Sequence, residues 1–293
     1  MIIYAGSLVN RELLGYAKPD AKIYDSAKMT LEDIIAAVEA AERDGKTTVR
    51  LHSGDPSLYG VIGEQMREFD RLGIDYDITP GVSAFSGAAA ALKTEYTLPD
   101  VSQTVIITRT TGRTEVPEAE TLKSLASHHA TIVLFLSTGL LDKVERELIA
   151  GGYLPETPAA IVYKASWTDE KICRCTVSTL AATARENEIT KTALICVGDF
   201  LESEFKLSRL YDATFSTEYR QATKLKPRYS AFRKRARYSR SASASCSPCH
   251  TATFTLSKNS PCRTASQHTK VCAPTWASCS TVMTRSFSSA LAV

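Results

Sequence analysis

No acidic residue follows Glu218 in this chain, and no glycine follows Gly198. Residues 1–221 carry 23 Lys+Arg against 32 Asp+Glu, a net of −9, whereas residues 222–293 carry 12 Lys+Arg and no acid, a net of +12. The overall +3 is therefore a composite, and it does not describe a uniformly basic protein. A shift of that size marks a boundary near residue 221. Long apolar runs are also lacking. None reaches the roughly 18 residues a membrane helix requires, which argues against a helical span. The opening, Met1 to Gly6, has no basic stretch ahead of an apolar one. It reads as a strand and not as an export signal, and a cytoplasmic location is expected. There is no internal repeat. Five of the 8 cysteines lie beyond residue 245, without the second paired spacing of a zinc site, so no metal is expected.

Enough remains to build a core. The hydrophobic share is 44% of 293 residues, which fits one large or two modest domains. Up to about residue 200, short β-rich runs alternate with helical patterns. Strands are predicted at 2–5, 47–51, 76–79, 104–108, 131–136, 159–163 and 193–197. Helices are predicted at 31–43, 58–72, 84–92, 119–126, 140–150 and 177–186. Such alternation predicts an α/β fold with largely parallel sheets. Residues 94–102 form the best linker, giving an N-terminal α/β domain over 1–98 and a C-terminal one over 103–221. Residues 222–293 read as a low-complexity, disordered tail, rich in Ser, Arg, Thr, Ala and Cys, with the composition of a shifted reading frame.

Three constellations could carry chemistry. In His52-Ser53-Gly54-Asp55-Pro56-Ser57-Leu58-Tyr59-Gly60, Asp55 and Pro56 are ordinary helix-start residues. Equally, a strand end, a glycine and a helix start form a ligand crevice. In Thr79-Pro80-Gly81-Val82-Ser83-Ala84, Ser83 could cap a helix, and the small residues after it allow either tight packing or an adenosine. The third is Thr108-Arg109-Thr110-Thr111-Gly112-Arg113-Thr114. Its two arginines suit carboxylates, because guanidinium pairs with them bidentately, although a solvated loop explains them as well.

These segments, together with Tyr4-Ala5-Gly6-Ser7-Leu8 and Lys164-Ala165-Ser166-Trp167-Thr168-Asp169-Glu170, occur in one order. In that order the sequence resembles the precorrin-4 and cobalt-precorrin-4 C(11)-methyltransferases, tetrapyrrole methylases of cobalamin biosynthesis. The resemblance runs from residue 1 to about 221. It implies two α/β domains of the tetrapyrrole methylase type with a cleft between them, and a homodimer. It also implies S-adenosylmethionine as methyl donor, held by Ser53, Gly54, Asp55, Leu58, Ser83, Ala84, Ser137, Ala165 and Ala193. Tyr4, Ser7, Arg109 and Arg113 would face the tetrapyrrole. No residue is assigned as a catalytic base, and Asp55 is expected to position the cofactor. One departure stands out: the family's first strand and its Gly-x-Gly-Pro-Gly-Asp-Pro loop are not found ahead of Tyr4.

Other signals point elsewhere and are set aside. Cys246-Ser247-Pro248-Cys249-His250 matches a haem-attachment spacing without the export context that chemistry needs. Basic residues between Lys224 and Arg240 could attract nucleic acid, but no nucleic-acid or membrane partner is expected. His128 and His129 read as a surface turn, and Cys173 and Cys175 as reduced thiols on one strand face. Two rival readings stay open: a remnant that at most binds cofactor, and a methylase acting at another ring position.

Overall fold

Short apolar runs, interleaved with amphipathic helices, assemble into two five-stranded sheets. The computed structural model describes residues 1–223, apart from Arg113 and Ser203, together with residues 279–284. Of the described residues, 1–207 with 279–284 form one unit, and 208–223 belong to a second. No helix among the described residues is long and apolar enough to cross a membrane.

The first sheet has the order β2-β1-β3-β10-β4. β1 (Ile2–Tyr4) lies parallel between β2 (Ile23–Asp25) and β3 (Thr48–Ser53). Helix α1 (Leu31–Arg43) is started by a reciprocal cap: Asp33 N–H donates to Thr30 Oγ1 at 3.2 Å, and Thr30 N–H to Asp33 Oδ2 at 2.9 Å. Its inward residues Ile34, Ile35 and Val38 close on Ile3 of β1 and on Phe69 of α2 (Gly63–Leu72). That spacing is the apolar stripe of a helix lying on a sheet. Gly73, at φ 66°, ends α2 in the left-handed conformation that favours glycine.

β3 and β4 (Tyr76–Thr79) do not pair with each other. Between them lies β10 (Cys279–Thr284), antiparallel to both, with Cys279 opposite Ser53 and Thr281 opposite Thr79. It supplies ladder partners to both facing edges, which otherwise present unpaired peptide groups. No strand period announces this segment in the sequence. Its pairing follows from the open position in the sheet, where tertiary context outweighs local propensity.

One face of β3 carries buried Thr48, Arg50 and His52. The Arg50 guanidinium reaches across three elements. Nε donates to Gln65 Oε1 of α2, Nη1 to the Ile3 carbonyl and Nη2 to Ser26 Oγ, each at 3.0 Å. All three acceptors are neutral, and burial pulls the Arg50 pKa down to about 10. The same burial, with Arg50 alongside, lowers His52 to about 4, so the imidazole is neutral at pH 7.

Helix α3 (Ala84–Leu92) follows β4 but packs on the second sheet. That sheet has the order β5-β6-β9-β7-β8. It comprises β5 (Val105–Thr108), β6 (Thr131–Leu134), β7 (Pro158–Tyr163), β8 (Lys171–Thr176) and β9 (Ala193–Val197). Its residues alternate between two cores. Ile132, Leu134, Ile161 and Ile195 meet α4 (Leu122–Ala126), α5 (Leu141–Ala150) and α6 (Leu180–Glu186). Val133, Val162 and Cys196 meet Ala88 and Leu92 of α3. The period of two is the pleat itself.

Two expectations need correction. The second sheet is not largely parallel: only β5 and β6 pair that way, and β9 runs antiparallel between β6 and β7. Apolar strands buried on both faces read alike in either direction, which is why sequence did not separate the cases. Helix α2 begins at Gly63 and not at 58. Tyr59 and Val61 sit at φ 58° and 53°, which no α-helix accommodates. The described part of the second unit, residues 208–223, is tied by Arg220, which donates to the carbonyls of Leu210 (2.8 Å) and Asp212 (2.7 Å).

Arg50→Met should lower the unfolding free energy by about 2–3 kcal/mol in denaturant titration, because two buried acceptors and a half-buried one lose a charged donor. A loss under about 0.5 kcal/mol would show that the guanidinium is not a structural tie.

Candidate active site

The turns after β3 and β4 are drawn together by one carboxylate. Asp55 Oδ2 accepts the Gly81 N–H at 3.0 Å, and Oδ1 accepts the Ser57 N–H at 2.8 Å and the Ser57 hydroxyl. Asp55 is therefore not the cap of α2. It makes a local turn with one oxygen and a bridge between loops with the other. The Ser57 hydroxyl first, and then the two backbone amides, hold its pKa below the ordinary carboxylate value.

Glycine is needed on either side of Asp55 within the β3 turn. Gly54 has φ 64°, and a Cβ there would lie 3.3 Å from the Ala84 nitrogen and 3.6 Å from Ser83 Cα. The β3 turn thus rests directly on the start of α3. At Gly60 a Cβ would come within 2.1 Å of the Pro56 carbonyl oxygen, so only glycine closes that turn. Ser83 is buried at the helix start without capping it. Its hydroxyl makes no hydrogen bond among the described residues, and a helix start offers N–H groups without intrahelical acceptors. Ser53 ends β3, and Leu58 is half-buried in the turn between.

The second sheet presents its loops at the matching edge. Ser137 follows β6 and is fully buried. Its hydroxyl donates to the Phe135 carbonyl at 2.7 Å and accepts the Thr110 N–H at 3.0 Å. That side chain joins the loop after β6 to the loop after β5. Thr138 Oγ1 donates to the Ala193 carbonyl at 3.1 Å, so Ala193 sits against the same turn. Ala165 lies across from α3, where a Cβ at Gly87 would meet its Cβ at 3.6 Å. The rings of Tyr59 and Phe135, 5.3 Å apart, join the β3 loop to the β6 loop.

Backbone strain gathers here. Tyr59, Val61, Leu136, Lys164 and Ser166 all have φ between 47° and 71°. Such conformations persist where surrounding structure enforces them, most often at ligand sites. Neither these angles nor the Tyr59–Phe135 contact is visible in sequence. Gly60, inside the quoted motif, is the nearest signal.

Of the four residues expected to face a ring substrate, Tyr4 is buried at the end of β1, and Ser7 belongs to the 3-10 turn Gly6–Leu8 that follows. Arg109 follows β5, and its guanidinium donates to the carbonyls of Thr114 (2.9 Å) and Glu115 (2.8 Å), closing its own loop. Burial raises the Tyr59 phenol pKa, and the charge of Arg109 opposes that rise. Arg113 lies outside the described residues. Thr110, unforeseen in sequence, anchors this loop to α5 through Glu147 Oε2 at 2.9 Å.

The profile of the Tetrapyrrole (Corrin/Porphyrin) Methylases matches residues 1–181. The cobalt-precorrin-4 C(11)-methyltransferase of Methanocaldococcus jannaschii is 54% identical over 225 residues, 76% of this chain and 87% of that protein. The precorrin-4 C(11)-methyltransferase of Mycobacterium tuberculosis is 47% identical over 221 residues, 75% of this chain and 88% of that one. Among solved structures, a cobalt precorrin-4 methyltransferase superposes with a TM-score of 0.67 at 46% identity, covering 69% of this chain and 84% of the other. A uroporphyrin-III C-methyltransferase from Thermus thermophilus, complexed with S-adenyl homocysteine, shares the fold at a TM-score of 0.55 and 20% identity, covering 68% of this chain and 86% of the other.

Asp55→Ala should speed hydrogen exchange at the Gly81 amide by about 10-fold or more, the worth of a hydrogen bond to a charged acceptor. In the unaltered chain that protection should hold above the ordinary aspartate range. It should be lost only as pH falls through the depressed pKa, where the carboxylate takes up its proton. Equal exchange in both chains would remove the bridge.

Proposed function

The chain belongs to the tetrapyrrole (corrin/porphyrin) methylase family, and from that premise we propose that it transfers a methyl group from S-adenosylmethionine to C(11) of precorrin-4 or cobalt-precorrin-4 in cobalamin biosynthesis. The observation that carries this reading is the Asp55–Gly81 bridge, which brings two glycine turns and a helix start together at the strand ends. It occurs in a chain 54% identical to an enzyme of that name.

The residues suit the cofactor. Gly54 lets the β3 turn rest on the start of α3, the buried Ser83 hydroxyl and the first amides of α3 can donate, and Leu58 and Ala84 give an apolar wall. Ala165, Ala193 and the backbone at Ser137 supply the opposite wall. When bound, S-adenosylmethionine supplies a methyl already activated on a sulfonium, so no Ser-His-Asp arrangement is required. What the protein contributes is placement, which can lower a barrier by about 7–11 kcal/mol in favourable cases. Asp55 serves that end by fixing both turns, and it is not the base. The Tyr59–Phe135 contact holds the β3 loop against the β6 loop.

Tyr4, Ser7, Arg109 and Arg113 complete the reading as the face toward the ring. Arg109 would exchange its loop carbonyls for a ring carboxylate. The reading also takes the enzyme to be a cytoplasmic homodimer, each chain divided into two α/β domains at residues 94–102.

The test is to incubate the purified full chain with S-adenosylmethionine carrying a labelled methyl and with precorrin-4 or its cobalt form. One labelled methyl at C(11) is the expected product. Label at another ring carbon, or none from a folded chain, would contradict the assignment.

A further inference from the structure

Beside the cofactor turn, at the carboxyl ends of β1 and β2, is a groove of about 510 Å³. β1, β2 and β3 are parallel neighbours, so the groove lies one to two strand spacings, about 5–10 Å, from the end of β3. Arg11 reaches it from the 3-10 turn Arg11–Tyr16, and Lys28 from the turn Ser26–Lys28. Neither cation makes an ion pair or hydrogen bond among the described residues. Tyr4 and Tyr24 line the groove with them, beside the apolar residues Leu14, Ile23 and Met29. One acid lines the groove, Asp25, and its Oδ1 is engaged by the Ala27 N–H at 3.0 Å.

Two cations without partners among the described residues, two tyrosines and an apolar lining make a site for a carboxylate on a short alkyl chain. Methylenes lie on Ile23 and Met29, and the carboxylate meets a guanidinium fork and an ammonium. We infer that Arg11 and Lys28 form a subsite for one carboxyalkyl arm of the ring substrate, distinct from the Arg109 loop. This rests on the reading that the substrate is a polycarboxylate ring. Tyr4 is shared, since it closes the groove on the side facing the β3 turn.

The experiment uses the full chain and two readouts that do not require turnover. Uroporphyrin III, with its free carboxylates, is the ring probe, followed by fluorescence quenching, and its methyl ester is the control. S-adenosylhomocysteine affinity is followed in parallel. Arg11→Ala and Lys28→Ala should each weaken uroporphyrin binding about 10-fold, the loss of one charge-assisted contact. Cofactor affinity and the binding of the ester should not change, and Arg11→Lys should recover part of the loss. If both variants bind the probe like the unaltered chain, the subsite is refuted while the methyltransferase reading stands. If the unaltered chain binds S-adenosylhomocysteine but not uroporphyrin, the polycarboxylate reading fails and the subsite falls with it. Equal loss of both affinities would mark Arg11 and Lys28 as structural and overturn the inference.

Discussion

The crevice depends on holding two turns together across a gap. β3 and β4 stand two strand spacings apart, about 10 Å, with β10 between them. Left alone, their turns would diverge. The Asp55 carboxylate prevents this by spanning to the Gly81 amide, and Gly54 lets the β3 turn settle on the first residue of α3. Both features are needed. A side chain at 54 would crowd the start of α3, and without the carboxylate the direct hydrogen bond between the two turns would be lost. Arg50 works one layer below, fixing β1, the Ser26 turn and α2 to β3, so that the platform beneath the turns is rigid.

The other wall is built by a different device. There the loops are joined by a buried hydroxyl, Ser137, which ties the Phe135 carbonyl to the Thr110 amide, while Glu147 holds the Thr110 side chain. The loop that carries Arg109 and the loop that follows β6 are thereby one piece. A reaction whose donor is already activated asks for that kind of rigidity, because its rate depends on where two carbons are held. The left-handed backbone at Tyr59, Val61, Leu136, Lys164 and Ser166 is the conformational cost of bringing these loops to a common point.

Much of the fold was legible because local pattern and packing agree. The helices at 31–43 and 84–92 and the strands at 76–79 and 193–197 match the structure residue for residue. What escaped has a physical reason. β2 is three residues long and mostly exposed, too short for a period to register. Asp55 and Pro56 are good helix-start residues, yet the helix waits until Gly63, because Asp55 is held by a loop 26 residues away. That is a tertiary contact, and no window of neighbouring residues contains it. The direction of the second sheet and the place of β10 are likewise set by what lies alongside. At the crevice, sequence marked the segments. It did not reveal that the Ser137 hydroxyl is spent on two loops, or that Arg109 closes its own.

The most direct test of the central claim is a calorimetric titration of the purified full chain with S-adenosylhomocysteine, on material shown to unfold cooperatively. Saturable binding at one site per chain is the expected result. It should be weakened by alanine at Asp55, which would loosen both turns, and far less by alanine at Ser53, whose side chain holds no such bridge. A cooperatively folded chain that takes up no S-adenosylhomocysteine would contradict the account, because the turns would then be assembled without making a cofactor site.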